Sequence, residues 1–196
     1  MTAHILLFAA GGSSRMRGGD KLMEPIDGVP LIRRQTVQAL GTGLPVHVIL
    51  PPDRPERTAA IADLPAERVT ATDAGDGMSA SFRAGVGALP DGAKAGIMML
   101  ADMPQITSRD LLRLVKRWRQ APDFPARLTT PDGRTGSPVL FPSRLFAPLL
   151  RLRGDEGGRA VLRGETVLSV PSPDERAIVD LDTREDWLAW RKRHEK

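Results

Sequence analysis

Apolar residues in this chain fall into short unbroken runs, separated by stretches with helical spacing. The run His4-Ile5-Leu6-Leu7-Phe8-Ala9 shows no polar alternation, the pattern of a parallel strand buried on both faces. A second strand is predicted over residues 46–50, where Pro51-Pro52 stops it, and a third over 95–101, the most apolar run, which ends at Asp102-Met103-Pro104. Between them, Asp27-Gly28-Val29-Pro30 reads as a turn. Pro30 then opens a helix with Leu31, Ile32, Val37 and Leu40 on its apolar face, ended by Gly41 or Gly43. A short helix over 57–64, a strand near 69–71 and a helix running to about residue 89 follow. Thr107 and Asp110 have the spacing of a capping box, and the helix they open carries Leu111, Leu114, Val115 and Trp118 on one face.

Beyond Pro122 the pattern is less regular. Short strands are expected at 127–130 and 139–141, with Gly136-Ser137-Pro138 between them, and helices near 143–152 and 158–162. A strand at 166–170, a last strand at 178–182 and a final helix capped by Thr183 with Asp186 at its third position complete the chain. Strands alternating with helices through residue 120 predict a doubly wound α/β sheet. No repeat or long linker divides it. Ligands of such sheets bind beyond the carboxyl ends of the strands. Four features fall there: the loop 9–21, Asp102, the Ser79/Ser81 loop and the Asp180/Asp182 pair.

Composition narrows the chemistry. The 196 residues contain no cysteine, which removes disulfides and thiolate metal sites. The three histidines, at 4, 47 and 194, are far apart in sequence, so a zinc site is not expected. No apolar run reaches the roughly 18 residues of a membrane span. The N-terminus has no basic segment ahead of a long apolar one, as expected of a cytoplasmic protein without a membrane partner. A net charge of +4 favours anionic ligands, but aromatics are only 4%, too few for the stacking platforms of nucleic-acid binders. A phosphorylated small molecule suits this balance better.

The loop Ala9-Ala10-Gly11-Gly12-Ser13-Ser14-Arg15-Met16-Arg17-Gly18-Gly19-Asp20-Lys21 is built for close approach of backbone to an anion. It is not a Walker loop, because Asp20 rather than Gly precedes Lys21. Nor does it supply G-x-G-x-x-G for a dinucleotide.

That loop, the strand end Leu100-Ala101-Asp102-Met103-Pro104, and the segment Gly136-Ser137-Pro138-Val139-Leu140-Phe141 carry a wider resemblance. With the turn Gly154-Asp155-Glu156-Gly157-Gly158-Arg159 and the terminal Asp180-Leu181-Asp182-Thr183-Arg184-Glu185-Asp186, they resemble the molybdenum cofactor nucleotidyltransferases, in particular the cytidylyltransferase branch. The likeness runs through nearly the whole chain in order. The first two motifs are shared by all nucleotidyltransferases of this fold, and the later ones are more specific. Two departures stand out: the stretch Arg17–Asp20 is one residue longer than in the family, and Ser137 stands where the family more often has His.

The resemblance implies one nucleotidyltransferase domain over 1–196. It would be a Rossmann-like three-layer α/β sandwich with a mostly parallel central sheet, of the nucleotide-diphospho-sugar transferase type and similar to glycosyltransferase A. Residues 1–120 would form the nucleotide-binding half. Residues 121–196 would form the acceptor-binding half and a closing metal-ligand strand. The implied reaction moves CMP from CTP to the terminal phosphate of the molybdopterin cofactor and releases pyrophosphate. A GTP-dependent relative, or a nucleotidyltransferase for another small phosphate acceptor, is the alternative. Mg²⁺, with Mn²⁺ as the other choice, would sit on Asp102 and on Asp182 or Asp180. Lys21 would neutralise the α-phosphate and Arg15 the outer phosphates, with Arg17 as a further cation. Ala10, Gly11, Gly12 and Ser13 would line the cradle. Ser79 and Ser81 would read the base, unless Ser79 caps a helix. Ser137, Pro138, Asp155 and Arg159 would face the acceptor, unless Asp155 is a cap. A molybdenum enzyme or its maturation chaperone would receive the product.

Overall fold

Along β1 (Ala3–Phe8), successive side chains enter two different hydrophobic clusters: Ile5 and Leu7 join one, Leu6 and Phe8 the other. A strand buried on both faces needs a layer of helices on each side, and this requirement organises the molecule. The computed structural model describes residues 2–16 and 18–194. Arg17 therefore lies outside the described residues. After β1 come the two-residue strands β2 (Pro25–Ile26) and β3 (Val29–Pro30), α1 (Leu31–Leu40), β4 (Val46–Leu50), α2 (Pro55–Ala60) and β5 (Glu67–Thr70). Then follow α3 (Met78–Gly87), β6 (Ala95–Leu100), α4 (Ser108–Gln120), β7 (Ala126–Thr129) and β8 (Thr135–Pro142). The chain ends with α5 (Phe146–Leu150), α6 (Gly158–Val161), β9 (Leu168–Pro171) and α7 (Arg184–His194).

Seven strands form one sheet in the order β5-β4-β1-β6-β8-β7-β9, and β8 alone runs against the others. Helices α1, α4 and α7 contribute Leu31, Leu114, Trp118 and Trp187 to the core on one face. Helices α3 and α5 contribute Phe82, Val86 and Leu149 to the core on the other. The fold is thus the expected three-layer α/β sandwich with a mostly parallel sheet. The chain leaves β1 toward β4 and β5, then crosses back to β6 on the other side of β1, so the topological switch point lies between β1 and β6. A ligand crevice forms at such a point. Among the described residues, no helix is long and apolar enough to cross a membrane.

The capping box reads true: the Asp110 carboxylate accepts the Thr107 amide at 3.0 Å. Three expectations need correction. The last strand expected at 178–182 is instead a 3-10 turn over Glu175–Ile178 followed by an irregular segment. Its Leu181 amide bonds to the Asp102 carbonyl at 3.0 Å, so the stretch hangs from the end of β6 rather than joining a ladder. Gly136-Ser137-Pro138 does not link two strands but lies within β8, which starts at Thr135 opposite Thr129. Val37 is 48% exposed, because α1 turns Leu31, Ile32, Gln35, Thr36 and Ala39 inward.

Gly136 is where the irregular segment docks. A Cβ there would overlap the carbonyl oxygen of Ala177. Overpacking of this kind costs about 1–3 kcal/mol. Gly136→Ala should therefore lower the unfolding free energy by about that amount in urea titration and shift the segment that carries Asp180 and Asp182.

Candidate active site

The register that pairs Phe8 with Leu100 sets the two strand ends side by side, and the Ala101 amide bonds to the Phe8 carbonyl at 3.1 Å. The loop after β1 and Asp102 after β6 therefore face each other across the switch point. The loop is fastened from beneath by Arg57 of α2, whose side chain is fully buried. Its guanidinium donates to the Ala9 carbonyl at 2.5 Å, to both Asp20 oxygens at 2.7 and 2.8 Å, and to the Ser13 hydroxyl at 3.1 Å. Asp20 also accepts the Leu22 amide at 3.0 Å. The residue that breaks the Walker pattern is thus the loop's internal anchor. Ser13 adopts a left-handed backbone conformation, φ 54°. Among the described residues, no acceptor takes the amides of Gly11, Gly12 or Ser13. They are the donors an anion would meet. Arg54 reaches the Gly12 carbonyl at 3.4 Å.

Burial alone would raise the Asp20 carboxyl, but its bonds from Arg57, Leu22 and Ser13 outweigh this and hold it below the usual carboxylate range. A carboxyl depressed in the folded state stabilises the protein above its unfolded value, and that contribution disappears as pH falls through the folded one. Asp20→Asn should accordingly flatten the acid limb of the stability curve, measured by urea unfolding at about pH 2 to 5.

Over the loop, the Lys21 ammonium binds Asp102 at 2.5 Å and also Asp182, whose other oxygen takes Arg15 at 2.6 Å. Burial works against the Lys21 charge, but Asp102 and Asp182 overcome it and push its pKa above the ordinary value. Lys21 thus stays cationic. Asp180 moves the other way: burial, then the negative charges of Asp102 and Asp182, raise its carboxyl. One oxygen of Asp102 is buried and has no hydrogen-bond partner. The final helix does not compete for Asp182. Its cap is made by Thr183 and Asp186, whose carboxylate accepts the Thr183 amide at 2.8 Å.

These carboxylates fit a hard divalent cation. They already converge on one cationic group, and Asp102 keeps an unused buried oxygen. Among the described residues, no three acidic or histidine side chains gather to hold a metal alone. Two carboxylates completed by substrate phosphate oxygens is the arrangement Mg²⁺ adopts with nucleotides.

Three cavities adjoin. A cavity of ≈ 440 Å³ runs from Gly11, Lys21, Asp102 and Asp182 to Gly77, Met78 and Ser81. A smaller one of ≈ 180 Å³ lies under Gly12, Ser13 and Arg15. A third, also ≈ 180 Å³, is lined by Ser137 and Arg159 and shares Leu100 and Asp180 with the first. Each of Ala10, Gly11, Gly12, Ser13, Arg15, Lys21, Ser81, Asp102 and Asp182 lines one or both of the first two. Ser79 does not. It is buried and its hydroxyl accepts from Arg83 at 3.0 Å, and the residue ahead of α3 is Gly77, so Ser79 is not the cap either. Gly77 has φ +89°, and a Cβ there would overlap Asp155. Asp155 consequently lines the large cavity, apart from Ser137 and Arg159, and α6 is preceded by Gly157 rather than capped by Asp155. Pro138 is buried in β8 and lines none of the three.

A family model described as the MobA-like NTP transferase domain matches residues 5–170. No curated protein matches the chain. Rv0371c of Mycobacterium tuberculosis H37Rv, solved in complex with manganese, superposes with a TM-score of 0.81 at 22% identity, covering 96% of this chain and 97% of that one. A nucleotidyl transferase of Methanothermobacter, Mth528, gives 0.81 at 20% identity, over 98% and 97%. CMP:2-keto-3-deoxy-manno-octonic acid synthetase complexed with CTP gives 0.78 at 17% identity, over 98% of each chain. At these identities the likeness establishes a shared fold.

Proposed function

This chain belongs to the MobA-like NTP transferase domain family, and from that premise we propose that it transfers CMP from CTP to the terminal phosphate of the molybdopterin cofactor, with Mg²⁺. Nucleotidyl transfer is the family's chemistry. The choice of nucleotide and acceptor rests on the motifs at 136–141 and 154–159 and on the loop at 77–81. Relatives in the fold solved with manganese and with CTP support a divalent metal and that nucleotide.

The observation that carries the reading is the Lys21 ammonium held between Asp102 and Asp182, above a loop with unused amides. In the reaction, an oxygen of the acceptor phosphate attacks the α-phosphorus of CTP. A new P–O–P bond forms, the α–β bridging bond breaks, and pyrophosphate leaves with the bonding electrons. The nucleophile is already anionic, so no residue need remove a proton. What the protein supplies is position and charge. Lys21 exchanges a carboxylate for the α-phosphate and offsets the charge that develops there. Arg15, 70% exposed at its side chain, would leave its pair with Asp182 for the outer phosphates. The amides of Gly11, Gly12 and Ser13 hold the β-phosphate end. Asp102 and Asp182 would hold Mg²⁺, which would supply Lewis-acid polarisation of the phosphate oxygens. At the other end of the cavity, the Ser81 hydroxyl both donates and accepts, as the edge of cytosine requires. The product, a cytosine dinucleotide, would pass to a molybdenum enzyme or its chaperone.

The test is pyrophosphate release from CTP, GTP, ATP and UTP in separate assays with molybdopterin as acceptor. CTP should give the highest kcat/KM. Preference for GTP would overturn the base assignment, and no release with any of the four would overturn the acceptor.

A further inference from the structure

Arg127 is an anomaly in β7. Its neighbours Ala126, Leu128 and Thr129 are buried, and the strand lies between β8 and β9. An apolar residue would suit position 127. Among the described residues, the guanidinium there donates once, to the Gly136 carbonyl at 3.1 Å, while its Nε is buried with no acceptor. A buried donor left unmet is costly. Several other arginines of the chain pair with carboxylates, as in Arg33–Asp63 and Arg176–Asp174. Among the described residues, none pairs with Arg127 or with Arg159. These two cations instead line the same ≈ 180 Å³ cavity, together with Ser137. Burial, then the charge of Arg159, hold the Arg127 guanidinium below its ordinary value, as expected of a like-charge pair with no anion present.

We propose that Arg127 and Arg159 form a second anion subsite, which holds the dianionic phosphate monoester of the acceptor next to the triphosphate. Two guanidiniums match two charges, and their planar forks suit phosphate oxygens. The Ser137 hydroxyl adds a donor. The cavity shares Leu100 and Asp180 with the nucleotide cavity, so an anion seated there would lie beside the nucleotide. The site also answers a problem of charge. A dianionic nucleophile must approach a triphosphate beside Asp102, Asp180 and Asp182, and without local cations it would be repelled. Identifying the anion as the acceptor's rests on the nucleotidyl-transfer reading; the subsite itself does not.

Inorganic phosphate is the probe. It is titrated, by ³¹P NMR, into the full-length protein saturated with Mg²⁺ and the non-hydrolysable α,β-methylene analogue of CTP. The wild type should bind phosphate beside the analogue. Arg127→Met and Arg159→Met should each weaken that binding by about tenfold and leave the affinity for the analogue unchanged. Arg127→Lys should retain part of it, and the exposed position of Arg159 keeps its variant folded. Unaltered phosphate affinity in both Met variants would overturn the proposal, as would displacement of phosphate by the analogue or no phosphate binding in the wild type. Loss of analogue binding with phosphate binding still dependent on Arg127 would sink the nucleotidyl-transfer reading and uphold the subsite.

Discussion

Asp102→Ala should lower kcat/KM for pyrophosphate release by at least about 10²–10³-fold, the usual cost of removing one preorganised electrostatic group at a reacting centre. Three observations set that expectation. Asp102 closes β6 at the switch point, its backbone is tied to Leu181, and it offers one oxygen to Lys21 and another to nothing. The substitution should leave the fold intact. Lys21 keeps its ion pair with Asp182, so no buried cation is stranded. Removing one of three neighbouring carboxylates also relieves the repulsion that now raises Asp180. Loss of the Asp102 attraction for Lys21 and relief of that repulsion oppose each other, so the variant should still melt as a folded protein. Thermal melting checks the fold, and a coupled pyrophosphate assay checks the chemistry. Unchanged release in a folded Asp102→Ala protein would remove this residue from the mechanism.

Arg57→Met should have the largest effect on stability, about 3–5 kcal/mol, because it leaves the buried Asp20 carboxylate without its partner. For a chain of this length that corresponds to a fall in Tm of roughly 6–20 °C. The loss reaches function too. Arg57 binds the Ala9 carbonyl at the start of the loop and Asp20 at its end, so without it the two ends are no longer held together. Nucleotide binding should weaken along with stability. A drop in Tm of only a degree or two would mean that the loop is held by other contacts.

Much of this arrangement was legible in the chain because it is local. The runs of β1, β4 and β6, the Thr107/Asp110 box and the glycine loop each declare themselves within a dozen residues. The ends of adjacent strands then follow from fold class, which is how Lys21 and Asp102 could be brought together across 81 residues. What escaped is long-range or depends on which of two chemically equal residues takes a role. Arg57 looks like any helix-surface arginine until its partner, 37 residues earlier, is seen beneath the loop. Arg127 gives a signal only as a charge in an otherwise apolar strand. Asp180 and Asp182 are chemically equal along the chain, and only the geometry pairs Lys21 and Arg15 with Asp182. Ile178-Val179 has the composition of a strand, but in the fold β8 is flanked by β6 and β7, so no open edge remained there for 178–182 to join.

The central claim is that this chain joins a cytidylyl group to a phosphate-bearing pterin. The most direct measurement is the mass of the acceptor after incubation with CTP, Mg²⁺ and molybdopterin. It should increase by one CMP unit, with one pyrophosphate released for each product formed. An acceptor of unchanged mass, or CTP consumed only by hydrolysis, would contradict the claim.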